Sequence, residues 1–259
     1  MSLLISIFIF LYGTVFGSFY NVVIYRIPKN MSVAKGRSMC PSCEHTLHAK
    51  DLVPIFSWFS LRGKCRYCSK KISPRYAIIE FVTGCLFLLA YLTQGMGIRF
   101  VLYAAFWSML LIVTMMDLDE MVISEHVLLI FTAICAVCLL VLRQPIVDHL
   151  LGFAIGFGAY LLIYVLAKIL YKKEGFGFGD VELMGSIGLI LGLRGSIQVS
   201  FLSFYIALFG IIIMKVVKKS LGRLTEIPFG PYICIAGFLV SLYEQPIYDL
   251  FERIILGRY

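Results

Sequence analysis

The chain has 259 residues, of which 60% are hydrophobic and only 15% charged, far below the roughly 25% charge of an ordinary soluble domain. A mean hydropathy of +0.91 leaves too little polar surface to cover one apolar core, which excludes a water-soluble globule and makes lipid the main solvent. A span takes about 20 residues, so the length admits about eight spans with short connections and one longer loop.

Met1 to Tyr25 carry no charged side chain, and the first basic residue, Arg26, lies on the C-terminal side of this apolar run. That order is the reverse of a signal peptide, so the segment reads as a retained first span. Further charge-poor stretches cover 76–94, 98–116, 123–142, 149–170, 181–193, 196–217 and 227–243. With the N-terminus outside, the inside segments 26–75, 117–122, 168–180 and 215–226 hold 18 Lys and Arg and the outside segments five. The positive-inside bias therefore fixes the expected orientation and accounts for the formal charge of +8 without a nucleic-acid partner. Gly13 and Gly17, Gly152 and Gly156, and the set Gly185, Gly188 and Gly192 have the small-residue spacing of helix packing faces in lipid. The stretch 181–193 is the shortest and most glycine-rich of the eight.

The one long polar segment, 26–75, holds 11 basic residues, two acids and four of the eight cysteines. Cys40-Pro41-Ser42-Cys43 and Cys65-Arg66-Tyr67-Cys68 repeat C-x2-C across 21 intervening residues. Four thiolates in two such knuckles suit a closed, tetrahedral structural Zn2+. Such a site would organise a segment with few large apolar side chains. Disulfides rank below zinc because the charge bias places this loop in the reducing cytoplasm. His45 and His48 read as polar surface residues. Cys85, Cys135, Cys138 and Cys234 lie in apolar stretches and read as small core residues.

Acids beside apolar runs carry the remaining chemistry. Asp117, Asp119 and Glu120 follow the third stretch, and Asp180 follows Gly175-Phe176-Gly177-Phe178-Gly179. The topology puts both groups at cytoplasmic span ends, where two carboxyls with one proton between them can cleave a peptide bond without Ser, His or metal. A single acid at a span end is ordinary interface chemistry. The glycines set Asp180 apart, with Gly177 and Gly179 letting a substrate strand approach the backbone closely. No Lys-Ser/Thr follows, which argues against a phosphate loop.

These residues resemble the type IV prepilin peptidases, membrane aspartyl proteases of the G-x-G-D class. The resemblance rests on Gly17-Ser18-Phe19-Tyr20-Asn21-Val22-Val23-Ile24-Tyr25-Arg26-Ile27-Pro28, the paired C-x2-C loop, and Ile72-Ser73-Pro74-Arg75-Tyr76 with Glu80. It extends to Gly177-Phe178-Gly179-Asp180 and Pro228-Phe229-Gly230-Pro231. It implies an all-α polytopic membrane helix bundle of about eight spans with a zinc-stapled cytoplasmic loop. The implied divisions are a first span over 1–25, a methyltransferase-associated zinc domain over 26–75 and a peptidase domain over 76–259. Asp117 and Asp180 are implied as the catalytic pair, type IV prepilins or pseudopilins as substrates, and S-adenosylmethionine as donor for methylation of the new N-terminus. The implied location is the bacterial cytoplasmic (inner) membrane, with the active site facing the cytoplasm. Membrane lipid is then a partner through the basic loop. Two departures stand out: Ile123-Ser124-Glu125 replaces the common Ile-Pro-Asp/Asn, and Glu182 occupies a position where Lys is common.

Two other classes compete. A proton-coupled transporter would carry acids near mid-span and show repeat symmetry, neither of which this sequence displays. A peptidase without methyltransferase activity, or a zinc-stapled assembly factor without chemistry, would use the same spans. Asp117 and Asp180 distinguish an enzyme from the last.

Overall fold

The computed structural model describes residues 3–171, 177–217 and 228–256. Gly175 and Phe176 of the glycine run and the basic residues Lys172, Lys173, Lys218, Lys219 and Arg223 lie outside them. The described residues form α1 (Leu3–Arg26), a 3-10 turn (Ala49–Asp51) and α2 (Phe56–Ser60), followed by α3 (Arg75–Gln94), α4 (Ile98–Glu120) and α5 (Glu125–Val141). The last three are α6 (Ile146–Tyr171), α7 (Phe178–Val217) and α8 (Gly230–Leu256). The all-α expectation holds. Five helices are long and apolar enough to cross a membrane, and two more, Glu125–Val141 and Gly230–Tyr243, are apolar but shorter. Leu4, Phe8, Leu129, Val147 and Ile169 are exposed, as befits side chains solvated by lipid.

By contacts the chain forms two compact units, Met1–Ala104 and Ala105–Tyr259. In the first, α1 and α3 touch through small residues. A Cβ on Gly13 would lie 2.8 Å from Phe87 Cβ, and one on Gly17 would lie 2.6 Å from Glu80 Cα, so the Gly13/Gly17 face brings two backbones together. Asn21, buried near the end of α1, donates from Nδ2 to the Tyr76 carbonyl at 3.1 Å and fixes the two helix ends against each other. The loop begins on Arg26, whose guanidinium donates to the carbonyls of Ser32, Lys35, Gly36 and Arg37 at 2.8–3.4 Å. One planar fork thereby satisfies four carbonyls of a segment with no regular structure.

In the second unit, α7 packs on α5, α6 and α8. Its buried residues include Val181, Leu183, Met184 and Ile187, and the core also contains Trp107, Met116 and Ile233. Trp107 Nε1 donates to Ser241 Oγ at 2.9 Å and its ring meets Phe238 edge-on, which ties α4 to α8. Within α7, Gly192 has φ +76°, outside helical space. Eight residues of continuous helix advance about 12 Å, yet Ser196 Oγ lies 3.0 Å from where a Cβ on Gly188 would be. The chain therefore turns back at Gly192. The stretches read from sequence as 181–193 and 196–217 are the two arms of this turn. Asp148 at the start of α6 accepts the Leu193 N–H at 3.4 Å, and His149 Nδ1 lies 2.9 Å from the Leu189 carbonyl, so both flanks of the turn are held. Gly152 and Gly188 let α6 and the first arm approach so closely that a Cβ on either would meet the other's carbonyl.

Candidate active site and metal centre

The two C-x2-C sequences fold into the same local structure. In the first, the Cys40 N–H donates to His45 O at 3.0 Å and the Glu44 N–H to Cys40 O at 2.9 Å; in the second, Cys65 donates to Lys70 O at 2.8 Å and Ser69 to Cys65 O at 2.9 Å. Glu44 and Ser69, four residues after the first cysteine of each, have φ of +56° and +58°. Matching β-bridges, Met39 to Thr46 and Lys64 to Lys71, close each knuckle one step further out. Spacing at this range dictates structure because each knuckle satisfies its own backbone groups.

The knuckles bring Cys40, Cys43, Cys65 and Cys68 together with all four Sγ atoms within 4.8 Å of one another, a set able to hold a metal ion. Burial disfavours the Cys40 thiolate, but the amides of Ser42 and Cys43 and the thiols of Cys65 and Cys43 hold its pKa down at about 7. At Cys43 the His45 amide favours the thiolate, but burial and the neighbouring thiols push the pKa up to about 11. His45 and His48 are exposed and stand outside the thiolate set. The His45 ring lies against that of Tyr67, with centroids 3.7 Å apart and planes tilted by 34°.

Asp51 fastens the knuckles to the rest of the loop. It accepts from Arg66 Nε at 2.6 Å, Tyr67 Oη at 2.9 Å and the His48 N–H at 3.2 Å. Burial opposes its ionisation, but these donors outweigh it and hold its carboxyl below the usual range. A depressed carboxyl adds stability above its unfolded pKa and loses it as pH falls through the folded value, so the tether is intact at neutral pH.

In the second unit the acids expected to pair are placed at one end of the helices that bear them. Asp117 lies in the last turn of α4 and Asp180 in the first turn of α7; each is 6% exposed. Asp180 feels the charge of Asp117, and Cys234 feels both. Asp117 Oδ2 accepts the Gly230 N–H at 2.9 Å, at the start of α8. The Asp180 N–H donates to Gly177 O at 3.2 Å, closing the turn ahead of α7. Ile123 joins the two sides, because a Cβ on Gly179 would lie 2.8 Å from Ile123 Cβ, and one on Gly230 would lie 3.3 Å from Ile123 Cδ1. Asp119 and Glu120 are exposed. Glu182 is half-buried and feels the like charge of Glu125, which belongs to the other departure from the common family pattern. The Gly230 amide as a partner of Asp117 is legible in sequence only as the motif Pro228-Phe229-Gly230-Pro231, which carries no sign of which side chain it would meet.

Two family models match the chain: the bacterial peptidase A24 N-terminal domain over residues 11–94 and the type IV leader peptidase family over residues 104–213. The chain belongs to the type IV leader peptidase family. Membership makes it an enzyme, and relatives agree along almost its whole length. It is 32% identical over 250 residues to the prepilin leader peptidase/N-methyltransferase of Bacillus subtilis (strain 168), covering 96% of this chain and 98% of that one. The enzyme of the same name from Aeromonas salmonicida (strain A449) is 31% identical, with 92% of this chain and 91% of the relative covered. That of Myxococcus xanthus (strain DK1622) is 32% identical over 98% of this chain and 76% of its own. No solved structure matches. The boundary between the two family models, in the nine residues 95–103, lies beside the division of the leader peptidase fold into its two units.

Proposed function

We propose that the protein cleaves the leader from type IV prepilins or pseudopilins with Asp117 and Asp180 and then methylates the new N-terminus. The observation that carries the cleavage is the pair of buried carboxyls in one unit, seated at the ends of two helices and joined through Gly230, Ile123 and Gly179. With one proton between them, one carboxylate takes a proton from the attacking water while the other carboxyl gives its proton to the scissile carbonyl. The Gly230 amide holds Asp117 in one orientation for this exchange. The exposed Gly177 offers backbone without a side chain where a substrate strand would lie. A prepilin presents an apolar helix to lipid and a polar leader to the cytoplasm, so its cleavage point falls at the depth of such helix ends. The Lys and Arg of segments 168–180 and 215–226, which the expected topology puts on the same side as Asp117 and Asp180, support a cytoplasmic face for this end, in the bacterial inner membrane.

Zn2+ is the ion that suits the thiolate set. A tetrahedron with bonds of about 2.3 Å has edges of about 3.8 Å, against 3.9 Å between Cys40 and Cys68 Sγ. All four positions are cysteines, which makes the site structural. Lys64, Arg66, Lys70 and Lys71 offset its negative charge. S-adenosylmethionine supplies an electrophilic methyl group on a sulfonium. Acids and aromatic faces suit that cation, and the first unit carries both beside the thiolates. Co-expression with a prepilin-like substrate and intact-mass analysis tests this: the substrate should lose its leader and gain one methyl. An uncut substrate would reject the peptidase, and a cut but unmodified one the methyltransferase.

A further inference from the structure

The first unit contains a cavity of 380 Å3 that the leader-peptidase chemistry leaves unused. Its walls are the C-terminal end of α1, the N-terminal end of α3, the first knuckle at Cys40 and Pro41, and the chain around Trp58. The volume is that of a small-molecule site rather than a packing defect.

Three kinds of group line it. Trp58 and Tyr76 give aromatic surface, Glu44 and Glu80 give carboxyls, and Arg37 and Lys64 give cations. Glu80 is 9% exposed. It accepts the Ile55 N–H on Oε2 at 2.6 Å. A carboxylate accepts about four hydrogen bonds, so Glu80 is held in place with capacity to spare. Ile55 itself has φ +63°, a conformation that a β-branched residue adopts only under constraint. Glu80 therefore fixes a strained loop residue and faces the cavity at once, a combination that core packing alone does not require. Trp58 is held by a bond from Nε1 to the Ile72 carbonyl at 3.2 Å.

We infer that this cavity binds S-adenosylmethionine, with Glu80 attracting the sulfonium and Trp58 contacting the adenosyl group. The inference rests on the methyltransferase reading and gives it a place. A sulfonium donates no hydrogen bond and is recognised by negative charge and aromatic faces. The donor's carboxylate is matched by Arg37 and Lys64. In the transfer, the lone pair of the neutral N-terminal amine forms the N–C bond. The S–CH3 pair returns to sulfur to leave S-adenosylhomocysteine, and the amine's proton passes to water. Because Cys40 and Pro41 form part of the wall, the zinc site would shape the pocket, which gives the knuckles a role in methylation.

Equilibrium binding of S-adenosylmethionine and S-adenosylhomocysteine to the full-length, zinc-loaded protein in detergent tests this. Glu80→Gln is expected to weaken S-adenosylmethionine at least tenfold and the uncharged product much less. Trp58→Ala should weaken both, with Trp58→Phe recovering most of the loss. Zinc content and leader cleavage report folding of the two units in each variant. Direct photolabelling of the wild-type protein with methyl-labelled donor needs no variant and should mark peptides within 18–80. Unchanged affinities in the folded variants, or label confined to residues beyond 104, would overturn the site while the methyltransferase reading stands. A wild-type protein that neither binds the donor nor methylates would overturn both.

Discussion

Replacing Gly230 with Ala probes the seat of Asp117 while leaving both carboxyls in the chain. A Cβ at this position would lie 2.6 Å from Asp117 Oδ2 and 3.3 Å from Ile123 Cδ1, and real Cβ atoms essentially never come within 3.0 Å of such a neighbour. Asp117 or α8 must therefore shift, and the 2.9 Å bond from the Gly230 amide lengthens or breaks. A hydrogen bond to a charged group is worth about 1.5–3 kcal/mol. If that orientation is used in the transition state, kcat/KM should fall about 10- to 100-fold. The assay is cleavage of a prepilin-like substrate by purified protein in detergent, read as band shift against time. Gly158→Ala is the control, since nothing lies within 4 Å of its Cβ. Cleavage by Gly230→Ala at the wild-type rate would refute the claim that this amide orients a catalytic carboxyl.

Purified protein should contain about one zinc ion per chain, and the Cys40→Ser, Cys65→Ser double variant should lose it; elemental analysis of a metal-free wild type would contradict the assignment. Against burial, amide and thiol hydrogen bonds hold the Cys40 pKa down at about 7; against the His45 amide, burial and the neighbouring thiols push that of Cys43 up to about 11. Zinc uptake at neutral pH should therefore release protons and weaken progressively as pH falls, more steeply below 7, since only thiolates ligate. Calorimetry in buffers of different ionisation heat would show this, and a buffer-independent enthalpy would count against it. Gly192→Ala puts a side chain at φ +76° and against Asp148 Oδ2. It should destabilise the second unit by about 1–3 kcal/mol, and an unchanged thermal midpoint would dispute the turn at that residue.

Features written in short-range spacing were legible in the sequence. Each C-x2-C folds through hydrogen bonds within eight residues, from Met39 to Thr46 and from Lys64 to Lys71, so spacing alone prescribes the knuckle. The apolar runs gave the helices because hydropathy follows the lipid directly. The turn in α7 was half legible: two arms were expected, with Arg194 between them, but the reversal lies two residues earlier, where Gly192 takes a positive φ. What joins residues distant in sequence was not legible. Nothing in the chain's pattern links Gly230 to Asp117, separated by 113 residues, or Glu80 to the Ile55 amide, separated by 25. The cavity depends on Arg26 gathering the carbonyls of residues 32–37, a use of that arginine that its place after an apolar run does not reveal.

If Asp117 and Asp180 perform the cleavage together, neither carboxyl can be replaced by an amide. Asp117→Asn and Asp180→Asn, each tested for membrane insertion, zinc content and leader removal, address this most directly, because each keeps the side chain's size and removes only its acid–base chemistry. Both variants should insert normally and hold zinc, with no detectable cleavage. Full leader removal by one of them would contradict the pairing.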